Sequence, residues 1–342
     1  MIEIVSKIKD DEWKDFLDKS TKASIYHMPE WKIFLEKTFN YKSYYLFAKD
    51  ECGEIAGLLP LFHVKSKLTG NRLCSVPFSH ECGLICNENS VRELTNGGFN
   101  LFKDLNVDFL EIRDYIDSES FQHHNIFSTY ILELSSNTGE VWQKLDKGSV
   151  RWAIKRSQKS GVSADTTKNI EDVKEFYELN CMTKKEIGVP CHPWKFFKNL
   201  FDLLKDNVSL YAARCNNELI AGGIMEYYKD TVLYGYGAAN PKYLGLHPYN
   251  AFIWKSIEDA CRNGYKYYDF GRTSYDNSGL IEFKKRWGTV EKKLYYSYYP
   301  KNSGFLTQNR DNLKYRIGTR VIRIMPMPIY KTFSDTIFGH FG

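Results

Sequence analysis

In the stretch YYDFGRTSYDNSGLIEFKKRWG, Tyr267 to Gly288, one acid, Asp269, interrupts a run of aromatics, and three cations, Lys284, Lys285 and Arg286, follow a short polar loop. A carboxylate and ammonium groups brought together can take a proton from an amine, hold an anion, or stabilise the charge that develops on a carbonyl oxygen during acyl transfer. Arg272, at the start of the loop, adds a further anion contact. Tyr265, Tyr267, Tyr268 and Phe270 suit a half-buried strand, and Gly264 ends the helix before it. The strand stops at Gly271 and Arg272, and order resumes in a basic segment from Leu280 to Trp287. Loops at the carboxyl ends of strands are where open α/β sheets place ligands. A solvated basic face beside a structural aspartate accounts for the same residues.

Two further sets of residues could hold anions. Arg151 and Lys155, with Lys159, fall four apart in SVRWAIKRSQKSG and share one face of a helix, alongside Arg156. In AANPKYLGLHPYN, His247 precedes Pro248 and reads as the N-cap of a helix whose first position is proline. Tyr236, in an expected strand from Val232 to Gly237, completes the substrate-binding candidates.

The elements that must position these residues recur. Strand Ile2 to Val5, helices Asp10 to Lys19 and Pro29 to Phe39, a meander (Tyr44 to Ala48, Ile55 to Val64, Arg72 to Pro77), helix Val91 to Asn106, strand Val107 to Arg113 and strand Thr129 to Leu134 fill the first half. The second half repeats the order. A basic helix leads to a strand near Val162, helices Ile170 to Lys185 and Pro193 to Leu204, and a meander (Val208 to Arg214, Leu219 to Tyr227, Val232 to Gly237). Helix Pro248 to Arg262, the Tyr267 strand and a last strand, Lys293 to Tyr299, complete it. Strict strand–helix alternation and a GxGxxG, which a Rossmann sheet needs, are missing. The expected fold class is α/β (α+β): tandem GNAT-like domains with mixed, largely antiparallel sheets, residues 1–135 and 136–300, and a C-terminal helical tail, 301–342.

Composition sets bounds. The 342 residues suffice for two cores, and the net charge of +5 gives only mild attraction to anionic partners such as phosphates, tRNA or lipid head groups. No signal-like or membrane-spanning run occurs, so a cytoplasmic protein is expected, and its eight cysteines are expected as free thiols. Cys74, Cys82 and Cys86, with His63 and His80 near, fit no zinc spacing, and no metal is expected.

The segment from DFG through FKKRWG resembles the signature near the end of the second domain in Fem-type (FemAB-type) aminoacyl and acyl transferases, tandem members of the GNAT superfamily. DFG also occurs in protein kinases, but neither an HRD loop nor a Gly-rich loop accompanies it here. SIYHMPEW, LLPLFHVKSKLTGNRLCSVPF and CGLI in the first half, with SVRWAIKRSQKSGV and TKKEIGVPCHP in the second, are similar to short Fem-like proteins associated with exopolysaccharide loci.

The resemblance implies N-acyl or aminoacyl transfer to an amine of a cell-envelope peptide or saccharide precursor, small or lipid-linked. No cofactor is implied; aminoacyl-tRNA or acyl-CoA serves as cosubstrate, and tRNA becomes a partner in the first case. Two alternatives stay open: a CoA-dependent N-acetyltransferase of an amino sugar or other small amine, and a non-catalytic binder of anionic envelope precursors. Lys284 takes the place of the active-centre lysine, Asp269 accepts the amine proton or orients Arg272, and Lys185, in TKKEIG beside Lys184, faces the acceptor. Where CoA-dependent relatives carry R/Q-x-x-G-x-G/A, this chain has Lys242, Gly245 and His247, and the histidine would obstruct a pyrophosphate. Leu35 stands where muropeptide-binding members carry a lysine, with Lys37 the nearest cation, and the coiled-coil arm of some members is missing. The tail mixes Leu313, Ile317, Val321 and Ile324 with Lys314, Arg316, Arg320 and Arg323. It is expected to pack on the first domain, the alternative being an anionic, inner-membrane surface.

Overall fold

The computed structural model describes residues 3–87, 90–301 and 313–342; Ile2, residues 302–312 of the expected tail and the side chains of Leu313, Lys314 and Tyr315 lie outside the described part. Two compact units emerge. One comprises the described residues among Met1–Ile126, Leu294–Gln308 and Gly339–Gly342, the other those among Phe127–Lys293 and Asn309–Phe338.

The first unit opens with β1 (Glu3–Val5), α1 (Asp10–Lys19) and α2 (Pro29–Phe39), followed by β2 (Lys42–Lys49), β3 (Ile55–Ser66) and β4 (Gly70–Cys74). A short β5 (Ile85–Cys86), α3 (Val91–Asp104) and β6 (Phe109–Ile112) follow. β1 to β4 pair antiparallel in chain order, whereas β6 lies parallel to β4, as a strand reached through a crossover helix must. Pro29 opens α2 at its first turn, and Asn40, in the left-handed region at φ 56°, closes it. Leu35 is fully buried, so the place expected to hold a cation in muropeptide-binding members is core here.

The second unit runs β7 (Gln122–Glu133, from Phe127 onward), α4 (Thr138–Lys144), α5 (Trp152–Lys159), β8 (Ser163–Thr167), α6 (Ile170–Ile187) and α7 (Trp194–Leu203). Next come β9 (Val208–Cys215), β10 (Glu218–Tyr228), β11 (Thr231–Ala239), α8 (Pro248–Arg262), β12 (Tyr267–Asp269), β13 (Thr273–Ser274) and α9 (Ser278–Lys285). β8, β9, β10 and β11 form the antiparallel meander. β12 then joins β11 in parallel through three residue pairs, ending at Leu233 with Asp269. β11 continues to Ala239 while β12 stops at Asp269, so pairing between the two ends at Leu233, and this end of their ladder is the wedge. The end of β14 (Val290–Tyr299) belongs to the first unit, where Ser297 pairs with Ile112 of β6.

The expected basic helix is broken. Asp146 accepts the Ser149 backbone N–H (2.7 Å) and caps a π-helical turn, Lys147–Arg151, that separates α4 from α5. The tail divides. α10 (Leu313–Ile324) and α11 (Met327–Ile337) belong to the second unit, where packing on the first domain was expected: the Tyr330 hydroxyl donates to the Val189 carbonyl (2.8 Å) and Lys331 pairs with Glu178 (2.6 Å). The last residues, Gly339–Gly342, belong to the first unit as expected: Tyr41 donates to the Gly339 carbonyl, Thr69 to that of His340 (2.5 Å) and Arg72 to that of Gly342. Thr319 lies so close to Gly188 that a Cβ there would meet its Cγ2 at 2.3 Å, which explains a glycine at the end of α6 beyond its φ of 86°.

Candidate active site

Asn277 caps α9 by accepting the Leu280 N–H (3.2 Å), and the helix lays Ile281, Lys284 and Trp287 along its inner side. Trp287 is fully buried among Phe270 and Phe283, which fixes the helix, and Lys284 is only 4% exposed. Its ammonium donates to the Gly271 carbonyl (2.6 Å) and lies 5.9 Å from the centre of the Tyr130 ring. Burial lowers the Lys284 pKa to about 8, against the opposing pull of the Asp269 carboxylate. The solvated-lysine reading of the sequence therefore gives way to a buried ammonium beside the end of the β11–β12 ladder.

Asp269, also buried, accepts the Gly271 N–H (2.7 Å) and the Thr129 hydroxyl. It thereby fixes the turn whose carbonyl holds Lys284. Gly271 has φ 72°, and a Cβ there would lie 3.3 Å from the Tyr234 carbonyl of β11, so the turn sits against the wedge wall. Arg272 leaves the turn exposed, its guanidinium 4.5 Å from the centre of the Phe127 ring.

The other expected residues separate into groups. Lys285 reaches Glu291 (4.0 Å) and Arg286 pairs with Glu282 (2.9 Å), both on the exposed side of the segment. The Arg286 carbonyl accepts the Asp146 N–H (2.9 Å), which brings the π turn and its Arg151 to the end of the signature. Arg151 donates to Gln143 (3.0 Å) while its Nε, buried, has no hydrogen-bond partner among the described residues; Lys155 lies over the Trp142 ring. His247, at φ 54°, occupies the N-cap position of α8 without a side-chain capping bond and sets its ring against Trp152 (5.0 Å). The segment before it is a 3₁₀ turn, Pro241–Leu246, whose Tyr243 N–H is bonded to Asn240 and whose following His247 N–H is bonded to Leu244.

Lys185 donates to the Arg323 carbonyl at the end of α10 (2.7 Å). Together with Asn240, Lys242 and Arg323 it borders a groove of about 500 Å³. Tyr236 packs against His192, Phe196 and Phe197, and burial raises its phenol pKa well above the ordinary value.

One acidic residue went unremarked in the sequence. Glu226 of β10 is 1% exposed, and neither carboxyl oxygen has a hydrogen-bond partner among the described residues. Its signal was available: it is the acid that interrupts the apolar run LIAGGIM, as Asp269 interrupts the aromatics.

Residues 147–285 match the family described as an acetyltransferase (GNAT) domain. That segment is a GNAT acyltransferase domain. No curated protein sequence matches the chain. Among solved structures, FemX is similar over 97% of this chain and 100% of its own, with 16% identity and a TM-score of 0.70. A tandem GNAT protein from the clavulanic acid biosynthesis pathway matches over 87% and 98%, with 11% identity and a TM-score of 0.56. The C-terminal domain of a putative lysylphosphatidylglycerol synthetase from Agrobacterium fabrum matches over 92% and 96%, with 8% identity and a TM-score of 0.58. These likenesses establish the fold: mixed α/β, tandem GNAT-like, with a helical C-terminal region.

Proposed function

We propose that the protein transfers an acyl or aminoacyl group to an amine of a cell-envelope peptide or saccharide precursor, with Lys284 stabilising the oxyanion. The observation that carries this reading is the buried Lys284 ammonium, fixed by Gly271 and Asp269 beside the end of the β11–β12 ladder, inside the GNAT domain. A fixed cation in a water-poor site is the kind of group that stabilises a transition state more than a ground state. Arg272, Arg151 of the π turn and Lys155 of α5, on this reading, hold anionic parts of the substrates. Lys185, Lys285, Arg286, Tyr236 and His247 contribute binding surface.

Aminoacyl-tRNA is the donor we favour. The amides of Tyr243 and His247, which would have to face a pyrophosphate, are used within the 3₁₀ turn, and the His247 ring stands beside them against Trp152. The groove bordered by Lys185, Lys242 and Arg323 supports acyl-CoA as the second reading, because it offers three cations beside the same turn. On either donor the exposed Ile317, Val321 and Ile324 of α10, beside Arg320 and Arg323, would rest on an anionic membrane surface and bring the site to a lipid-linked acceptor.

The test incubates the pure protein with aminoacyl-tRNA and acyl-CoA panels and with amino-sugar and peptide acceptors, following acylated products by mass spectrometry. Transfer from one donor class is expected. Binding of precursor without product across the panels, unchanged in Lys284→Ala, would make the protein a binder instead. Calorimetry with acetyl-CoA decides the donor: micromolar affinity would overturn the preference for aminoacyl-tRNA.

A further inference from the structure

Glu226 sits one strand away from the wedge. In the sheet it pairs with Leu233, the last residue of β11 that pairs with β12, and Leu233 pairs with Asp269. The Cα positions of Glu226 and Asp269 are therefore two strand spacings apart, roughly 10 Å. Immediately beyond, the β10–β11 register shifts: Met225 pairs with Tyr234 but Ile224 with Tyr236, so Gly235 is the extra residue of a bulge. Gly235 is exposed, and a Cβ on it would lie 2.9 Å from Glu226 Oε1 and 3.1 Å from its carboxyl carbon. The buried carboxyl thus lies against an exposed residue without a side chain, separated only by Tyr234 from Leu233, the last β11 residue that pairs with β12. A contact path joins it to the lysine: Lys284 holds Gly271, Gly271 abuts the Tyr234 carbonyl, and Tyr234 precedes Gly235.

A buried carboxyl without a protein partner is costly, and a structure keeps one where the chemistry uses it. We propose that Glu226 is the acceptor-amine site: its carboxylate binds the ammonium of a primary amine that enters over Gly235 and removes the proton before acyl transfer. This inference rests on the acyl-transfer reading above and names the group that deprotonates its nucleophile. The acceptor ammonium gives one proton to Glu226, and the freed nitrogen bonds to the donor carbonyl carbon. The donor's carbon–oxygen or carbon–sulfur bond then breaks, and the leaving group takes the proton that nitrogen sheds on becoming an amide. Glu226 returns its proton to water.

Burial alone pushes the Glu226 carboxyl up to about 8. It can thus hold a proton taken from an ammonium, which an ordinary carboxylate does poorly. The titratable groups on this face are Tyr236 of β11 and, against its ring, His192 ahead of α7, which senses Lys184 of α6. Burial raises the Tyr236 phenol and lowers the His192 imidazole.

The test follows Glu226 by NMR in the full-length protein with ¹³C-labelled glutamate carboxyls, Glu226→Gln assigning the resonance, and uses ethanolamine as the probe amine. A carboxyl titrating far above the ordinary range is expected, with ethanolamine increasing its acidity about tenfold. Gly235→Ala should abolish that response and Lys284→Met should leave it intact. A Glu226 that titrates normally, or one that ignores ethanolamine in the wild type, would overturn the proposal. Once a donor is known, Glu226→Gln should lower kcat/KM by about 10²–10³ and remove the rising limb of the pH profile. A wild-type rate and profile in that variant would overturn it equally. The two readings fail separately: an ethanolamine response without acyl transfer refutes the transferase, and transfer that survives Glu226→Gln refutes the amine site.

Discussion

The buried Arg113–Glu111 pair of the first unit answers its own charge, whereas the buried Glu226 and Lys284 of the second have no ion-pair partner among the described residues. In the first, Arg113 donates to Glu111 (2.7 Å) and to the Val76 and Ser79 carbonyls (3.1 and 2.6 Å), and its guanidinium lies over the Tyr296 ring. Arg113 holds the Glu111 carboxylate below its ordinary value despite burial, and Tyr298 adds a hydrogen bond to it. In the second unit, among the described residues, Glu226 has no hydrogen-bond partner and Lys284 bonds to the Gly271 carbonyl, so burial moves both pKa values toward neutrality of the side chain. A satisfied pair fixes a loop; unsatisfied groups with pKa values near 8 are equipped to exchange protons and to meet substrate charge.

The largest stability effect should come from breaking the satisfied pair. Arg113→Met strands a buried carboxylate and two carbonyls, and denaturant unfolding should show a loss of about 3–5 kcal/mol. Glu226→Gln should act in the opposite direction. The folded carboxyl keeps its proton up to about 8, whereas the unfolded chain releases it in the ordinary range, so wild-type stability drains away as pH rises between the two. The variant escapes this loss. It should match the wild type in mild acid and exceed it above pH 8 by more than about 1 kcal/mol, read from urea midpoints.

Lys284 has the reverse sign. Its folded pKa of about 8 is depressed, so the buried ammonium burdens the fold below that pH and the burden lifts as pH rises toward the ordinary lysine value. Wild-type stability measured against Lys284→Met should therefore increase across that window; a flat difference would mean that the lysine is not desolvated. The smallest effect belongs to α10. Ile324→Asp, at a side chain 82% exposed, should change stability by less than about 0.5 kcal/mol yet abolish sedimentation with phosphatidylglycerol vesicles.

The element order was legible because its signals are local. Pro29 and Pro248 at helix starts, Asn and Gly at helix ends, and the short apolar runs of β9 to β11 each act within a few residues. Burial of Lys284 was also written in the chain, since it falls three residues from both Ile281 and Trp287, but a lysine at an apolar position reads as solvated until its neighbours are placed. Glu226 escaped for the complementary reason. An acid in a strand looks like the outward half of an alternation, and only the sheet register reveals that it lies under a bulge glycine. The partner of the tail depends on contacts between residues far apart in sequence, Tyr330 with Val189 and Thr319 with Gly188, which no periodicity reports.

The central claim is that one buried ammonium, and not the basic segment as a whole, stabilises the transition state. Initial rates of Lys284→Met and Lys285→Met with the donor identified by the mass-spectrometric panel test it directly, because the two side chains are adjacent in sequence but one is buried on Gly271 and the other is exposed beside Glu291. Lys284→Met should lose about 10²–10³ in kcat with KM nearly unchanged, and Lys285→Met should stay within about twofold of the wild type. Equal losses at both positions, or losses confined to KM, would contradict the account.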